Sequence, residues 1–547
     1  AVEALGAATV LCVDKTGTLT ENVMTVAKVY TRNRFYDIDD ATTRLPETIH
    51  EIVEYSILAS HKDPFDPMEK AFRHLGERYL ANTEHLHDNW VLAQEYPLSQ
   101  ELLAMSHVWK SPDAEDYVIA AKGAPEAIAD LCHFDEVQAN EMVEQLNVMA
   151  RQGLRVLAVA KAHFKKAAMP GEQHAFNFVF LGLIGLADPI RATVPDAIRQ
   201  CHEAGIRIIM ITGDYPDTAR NIAQQIGLNS DGGCITGAEL NELDDETLRQ
   251  RLSTAAIFAR VVPEQKLRLV EALKSNGEVV AMTGDGVNDA PALKSAHIGI
   301  AMGKRGTDVA REAADLVLLD DDFSSIVSAV SLGRRIFDNL KKAISYIIAV
   351  HVPIAGLSLL PVLFGWPLIL MPVHIVFLEL IIDPACSIVF EAEPGEKDLM
   401  RRRPRDPVEP LFKSNLLFYS VLRGLSVLMI VLGVFAITMY RNHGENDARA
   451  ITFTTLVVAN LGLILTSRSM SRTFAGMFSS GNRALWWVVG ATIGILGLVL
   501  YLPGLSNLFH FERIHTIDLA VALGAGVASV LWFEILKRLR KNGAALQ

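Results

Sequence analysis

The sequence predicts a doubly wound α/β domain, interrupted by an α+β insert and followed by an all-α bundle of about six membrane helices. Three observations carry this expectation. Short apolar runs alternate with helical stretches at both ends of the first 342 residues. The texture changes between about Val23 and Ala175. After Lys341-Lys342 the chain turns into apolar stretches long enough to span a bilayer.

The alternating runs come first. Val10-Leu11-Cys12-Val13 reads as a strand that ends on Asp14, and Ile206 to Ile211 as a strand closed by Thr212-Gly213-Asp214. Ile257 to Val261 precedes a helix that Pro263 can start and Gly277 can end. Val279–Met282, Ile298–Met302 and Leu316–Leu319 complete the set. Ligands of parallel sheets sit at the carboxyl ends of strands, so Asp14, Thr212 and the turn Thr283-Gly284-Asp285-Gly286 belong to one site.

The insert, residues 23–175, alternates helices (Glu47–Ser60, Pro67–Leu80, Glu136–Arg151) with strands near Trp90, Val108, Tyr117 and Val156. The polar run Lys165 to His174 is its return linker. Residues 1–22 and 176–342 then form the interrupted sheet domain, and 343–547 the membrane domain.

Membrane stretches are expected at Ala343–Phe364, Leu368–Phe390, Leu416–Tyr440, Ile451–Thr466, Leu485–Leu502 and Ile517–Leu536. Basic residues crowd the loops after the second (Arg401, Arg402, Arg403, Arg405), the fourth (Arg468, Arg472, Arg483) and the sixth (Lys537, Arg538, Arg540, Lys541). Positive loops stay inside, so these loops and the sheet domain share the cytoplasmic side.

Composition agrees. The 547 residues require several domains, and half are hydrophobic. Mean hydropathy is +0.23. A net charge of −12 argues against nucleic acid as a partner. Five scattered cysteines without a C-x-x-C pair read as reduced thiols, not a disulfide or zinc framework. No signal segment opens the chain, and Ala1 runs at once into the motif at Asp14; further sequence is expected before it.

The stretch Asp14-Lys15-Thr16-Gly17-Thr18-Leu19-Thr20-Glu21-Asn22 places an immobilised carboxylate at a strand end. Attack on a phosphate needs that nucleophile, a metal to offset phosphate charge, and cationic or hydroxyl donors for the phosphoryl oxygens. Asp14, Thr16 and Asp285 are the candidate Mg²⁺ residues, with Asp289 beside them; Lys266, Thr212, Gly213 and Asn288 are the candidate donors. A hydrolytic phosphatase on such a sheet carries a second Asp two residues after the nucleophile. Thr16 stands there instead, so an aspartyl phosphate should persist.

These residues resemble the signature of the P-type ATPases, within the haloacid dehalogenase-like superfamily: D-K-T-G-T at 14–18, T-G-D at 212–214 and T-G-D-G-V-N-D-A-P at 283–291. The resemblance implies ATP as substrate, Mg²⁺ as cofactor, a nucleotide-binding role for the insert, and catalytic roles for Asp14, Lys266, Thr212 and Asp289. It also implies nucleotide contacts for Glu69, Lys122 (in Lys122-Gly123-Ala124-Pro125-Glu126), Arg155, Asp188, Thr212, Gly213, Asp214, Arg260 and Asn288. Asp188-Pro189-Ile190-Arg191 resembles the family's hinge. Tyr96 is either an adenine-stacking ring or an ordinary strand aromatic. The basic residues that follow such a ring in similar pumps are here uncharged or acidic, through Gln100 and Glu101.

Six spans after the catalytic part resemble type II pumps, of the bacterial calcium-pump kind. Glu379 and Asp383 lie one turn apart in the second span and Pro384 follows. With His351 and Asn460 they form the candidate cation site. Against the calcium-pump pattern His351 replaces Asn, Ile354 replaces Glu, Glu379 replaces Asn and Asn460 replaces Glu, while Asp383 matches. Ca²⁺, H⁺, Na⁺, K⁺ and Mg²⁺ all stay open. Glu391 and Glu393 read as interfacial, without a role. The family's actuator domain and first four spans are not in this sequence, and the expected partner is that missing half. Two other readings are a membrane-anchored phosphatase and a regulatory fragment that does not transport.

Overall fold

The computed structural model describes residues 1–547 except 22, 40, 41, 43, 82, 88, 100, 101, 112–115, 166–168, 229–231, 407–411, 413, 442, 469–480 and 545–547. The side chains of residues 534 and 536–544 also lie outside the description, so Asn22, Gln100, Glu101, Arg472 and the basic side chains of Lys537, Arg538, Arg540 and Lys541 are not described. The chain divides into two compact units, residues 3–328 and 329–547.

The first unit holds two seven-stranded sheets. One is parallel throughout, in spatial order Cys234–Thr236, Ile257–Ala259, Arg207–Ile211, Val10–Asp14, Val280–Gly284, Ile298–Met302, Leu316–Leu318. Val10–Asp14 is central and every residue of it is buried. Helices cover both faces of such a sheet, which is why the strand reads as a nearly unbroken apolar run. The chain fills one side of this strand, then crosses to Val280–Gly284 on the other. Asp14 therefore sits where the winding reverses, at the carboxyl edge. Pro263 does open a helix, Pro263–Ser275, and Gly277 follows it at φ +79°. The edge strand Cys234–Thr236 is not anticipated from sequence; Cys-Ile-Thr lacks the aliphatic run that marks the other strands.

The second sheet is antiparallel: Arg34–Asp37, Thr25–Thr31, Val179–Ala187, Arg155–Lys165, Asp116–Gly123, Ala104–Lys110, Val91–Tyr96. Helices His50–Leu58 and Pro67–Tyr79 cover one face; Pro125–Leu131 and Glu136–Ala150 belong to the core on the other. Val179–Ala187 pairs with Thr25–Thr31 here, so this sheet extends past the return expected near Ala175.

In the second unit, six helices among the described residues are long and apolar enough to cross a membrane: Ser324–Phe364, Pro372–Val389, Ser414–Tyr440, Glu445–Ser467, Arg483–Tyr501 and Thr516–Phe533. The fourth is the bundle's centre, with 83% of its apolar window buried. Pro384 lacks an N–H, and the turn after it widens into π-helix over Ala385–Val389, where the Ser387 hydroxyl donates to the Asp383 carbonyl at 2.7 Å.

One expectation is corrected here. Glu393 is not an idle interfacial acid, and Arg468 is not a loop charge. Both are buried; Arg468 Nε donates to Glu393 Oε2 at 2.7 Å and its Nη2 to Oε1 at 3.2 Å. Asn482 Nδ2 adds a third bond to Oε2 at 2.9 Å. The guanidinium fork matches the carboxylate and lets both charges leave water together.

Candidate active site

Asp14 ends the central strand, and its backbone N–H donates to Thr283 Oγ1 on the adjacent strand at 3.1 Å. The chain then folds into the tight turn Lys15–Leu19, in which Gly17 takes φ +73°. A Cβ on Gly17 would lie 2.5 Å from Asp285 Oδ2, so glycine is required by conformation and by space. Asp14, Asp285 and Asp289 each offer a carboxylate oxygen within 4.8 Å of the others.

Lys266, in the first turn of Pro263–Ser275, reaches this cluster. Its Nζ is 2.7 Å from Asp289 Oδ1 and 3.3 Å from Asp14 Oδ1. Burial pushes the Asp14 carboxyl up to about 7; Lys266 opposes the rise, while Asp289 and Asp285 add to it. Burial and the Asp289 charge likewise push Asp285 up to about 6. The Lys266 ammonium is held above its ordinary value: burial works against it, but Asp14 and Asp289 outweigh that. Three carboxylates around one ammonium leave the cluster short of positive charge, and the oxygen donors suit a hard divalent cation such as Mg²⁺. Thr16 lies half-buried in the turn.

The second ring of contacts closes around Lys15. Its Nζ is 2.9 Å from Asp214 Oδ2 and 3.9 Å from Asp188 Oδ2. Thr20 Oγ1 donates to Asp188 Oδ2 at 2.5 Å, and Arg191 donates to the Thr20 and Gly17 carbonyls. The hinge segment thus clamps the Asp14 turn. Thr212 is buried, its Oγ1 accepts from Asp214 N at 3.1 Å, and Gly213 and Asn288 are exposed. Arg260, at φ +57°, places its guanidinium over Tyr215, and its N–H donates to the Asp214 carbonyl. Sequence reasoning put Thr283 in the site without a role and gave Lys15 none; adjacency to Asp14 was the available signal for Lys15.

On the antiparallel sheet, Lys122 Nζ is 2.6 Å from Glu69 Oε1 and 2.7 Å from Ser60 Oγ, and it lies over the Phe72 ring. Both charged side chains are buried. Asp66 caps Pro67–Tyr79, which fixes Glu69 in its first turn. Tyr96 does not join them. It pairs with Ser106, whereas Lys122 pairs with Met105, so alternation puts the two on opposite faces. The Tyr96 ring packs edge-on against Phe176 and its hydroxyl donates to the Pro170 carbonyl at 2.6 Å. Arg155 is exposed at the start of its strand.

In the second unit, His351 Nε2 is 3.8 Å from Glu379 Oε1. Asp383 is exposed one turn on. Asn460 is fully buried, and its side-chain oxygen and nitrogen have no hydrogen-bond partner among the described residues.

Three families of sequence match the chain. The model described as haloacid dehalogenase-like hydrolase matches residues 8–297, a second of that description matches 265–330, and the one described as cation transporting ATPase, C-terminus, matches 367–539. Similar curated proteins include "Calcium-transporting ATPase 1" of Bacillus cereus, 33% identical over 99% of this chain and 64% of its own length. "Calcium-transporting ATPase" of Bacillus subtilis is 34% identical over 96% and 63%, and "Probable cation-transporting ATPase F" of Mycobacterium bovis 35% over 93% and 61%. The chain spans just under two thirds of the length of these relatives.

Proposed function

Because this chain belongs to the haloacid dehalogenase-like hydrolases, in their P-type cation-transporting ATPase branch, we propose that it uses ATP to move a cation across a membrane through an aspartyl phosphate at Asp14. The observation that carries the reading is the Asp14 carboxylate at the end of the central strand, ringed by Lys266, Asp285 and Asp289.

An Asp14 oxygen attacks the γ-phosphorus of ATP; the new P–O bond forms as the bridging bond to the β-phosphate breaks, and ADP leaves. Lys266 holds the nucleophile in place and presents positive charge to the phosphoryl oxygens. Thr212 and Gly213, just past the end of Arg207–Ile211, and Asn288, in the turn Val287–Asp289, donate to those oxygens. Asp14, Asp285 and the Thr16 turn would hold Mg²⁺, with Asp289 keeping Lys266 and the loop in place. Bound there, the ion supplies charge against the transferring phosphoryl group. With Thr16 two residues on, no carboxylic acid stands ready to assist water, so the phosphoenzyme lasts long enough to drive transport.

The antiparallel-sheet domain, from about Val23 to Ala187, binds the nucleotide; Lys122 and Glu69 line the adenine pocket and Arg155 reaches the phosphates. Asp188, Asp214 and Arg260 contact the nucleotide from the parallel-sheet side. Tyr96, turned into the opposite core, leaves this set. The protein is a multi-pass membrane protein; its catalytic domains face the cytoplasm of a bacterial plasma membrane, on the side of the basic loops. Glu379, Asp383, His351 and Asn460 bind the transported cation. ATP turnover in membranes holding the full-length protein, scanned against Ca²⁺, Na⁺, K⁺, Mg²⁺ and H⁺, tests the reading. One of them should stimulate turnover in the wild type and not in Asp14→Asn; turnover indifferent to all five overturns transport.

A further inference from the structure

Away from Asp14, the antiparallel sheet brings two imidazoles and a carboxylate to one point. Val91–Tyr96 and Ala104–Lys110 pair with Glu95 directly opposite His107, so both side chains leave the same face. His61 arrives from the segment after helix His50–Leu58. Its Nε2 is 3.3 Å from Glu95 Oε1, and His107 Nε2 is 3.8 Å from the same oxygen. One donor atom from each residue lies within 4.8 Å of the others.

Both rings are oriented through their other nitrogen. His107 Nδ1 donates to the Leu58 carbonyl at 3.1 Å, and His61 Nδ1 donates to Glu69 Oε2 at 3.1 Å. A ring held this way presents Nε2 as a lone pair, which is how metal-binding histidines are commonly braced. In that neutral tautomer three acceptors converge on one point. The His107 side chain is 1% exposed, and its Nε2 is buried without a hydrogen-bond partner among the described residues. Such orphans are rare and call for an unseen guest. Ligands at about 2.0–2.1 Å in a tetrahedron stand about 3.3 Å apart, against 3.3 and 3.8 Å from the two imidazoles to the Glu95 oxygen.

We propose that His61, Glu95 and His107 bind a divalent transition metal of the Zn²⁺ class, with the exposed side left to water or an incoming group. Two imidazoles select against Mg²⁺ and Ca²⁺, which take oxygen. The site is wired to Lys122: Glu69 accepts from His61 through Oε2 and from Lys122 through Oε1. Metal on Nε2 strengthens the His61 Nδ1–H donor, draws Glu69 toward it and loosens its hold on Lys122. Zn²⁺ therefore lowers nucleotide affinity; this coupling, unlike the metal site, rests on the nucleotide reading of Lys122.

The test titrates the full-length protein with Co²⁺, Mg²⁺ in excess to fill the aspartate cluster, and reads visible absorbance. The wild type should take up one Co²⁺ with a band of low-coordinate geometry, displaced by Zn²⁺. His61→Ala and Glu95→Gln, both at exposed positions, should weaken that uptake by about 100-fold. No band in the wild type, or an unchanged band in both variants, overturns the site. In parallel, a fluorescent ATP analogue should bind about fivefold or more weakly with Zn²⁺ present, in wild type only. Unmoved affinity overturns the coupling and leaves the site standing. Absence of nucleotide binding with and without Zn²⁺ is the failure of the nucleotide reading, and the Co²⁺ band still decides the site.

Discussion

Lys266 lies closer to Asp289 than to Asp14, 2.7 Å against 3.3 Å, so one aspartate anchors the lysine within reach of the other. Removing either partner has different consequences. Lys266→Ala takes away the charge that faces the transferring phosphoryl group and should cut the rate of phosphoenzyme formation by about 10²–10³-fold. Asp289→Asn leaves the ammonium present but unanchored and should cost less. Rapid-quench kinetics of both variants check the order; equal losses would mean that Lys266 acts only through Asp289.

The aspartate cluster predicts a pH dependence. Burial pushes the Asp14 and Asp285 carboxyls up from 3.8 to about 7 and about 6. A carboxyl whose folded value is raised binds more protons folded than unfolded, so its contribution to stability is lost as pH rises from about 4 to about 7. Mg²⁺ competes with those protons. Its affinity should fall as pH drops from about 7.5 to about 5.5, and its stabilisation in thermal unfolding should be largest at the alkaline end. Calorimetric Mg²⁺ titration at four pH values measures this; Asp285→Asn should flatten the profile.

Glu393 and Arg468 predict a non-additive pair in the membrane unit. Arg468→Met strands a buried carboxylate and should destabilise the protein by about 3–5 kcal/mol. Adding Glu393→Gln should recover much of that, since an uncharged partner needs no counter-ion. A double-mutant cycle in detergent reads the coupling, and simple additivity would show that the two do not interact.

The cation site gives a graded expectation. Glu379 and Asp383 lie one turn apart in the second span, Glu379 facing His351 at 3.8 Å. Asp383→Asn should abolish or strongly right-shift cation activation of ATP turnover. Glu379→Gln should do so more weakly, because the amide keeps a carbonyl oxygen there and the neighbouring His351 can still offer a neutral nitrogen donor. ATP binding should be unchanged in both. Wild-type cation dependence in Asp383→Asn would place the site elsewhere.

What was legible in the sequence follows from what each feature depends on. The central parallel strands were readable because they are buried apolar runs, and Val10–Asp14 and Val280–Gly284 end on a motif. Asp14, Lys266, Asp285 and Asp289 were readable as a group because the chemistry demands such partners at strand ends. Cys234–Thr236 was not, because it ends on a polar Thr and lacks the unbroken aliphatic run that marks the equally short Leu316–Leu318 at the other edge. The placement of Tyr96 depended on a register in which it pairs with Ser106, on the face away from Lys122. Glu393 and Arg468 looked like interfacial charges, since nothing local in the chain says that residues 75 apart will meet. The alignment of Glu95 with His107 is likewise a property of strand pairing.

The central claim is that Asp14 carries the phosphate, and one measurement addresses it directly. The full-length protein is incubated with γ-labelled ATP and Mg²⁺ under turnover, quenched in acid, and its phosphopeptide is mapped by mass spectrometry with and without hydroxylamine. The account predicts an acid-stable, hydroxylamine-labile label on the peptide containing Asp14, absent from Asp14→Asn, whose amide is a poor nucleophile. Normal labelling in Asp14→Asn, or a label on any other residue, would contradict it.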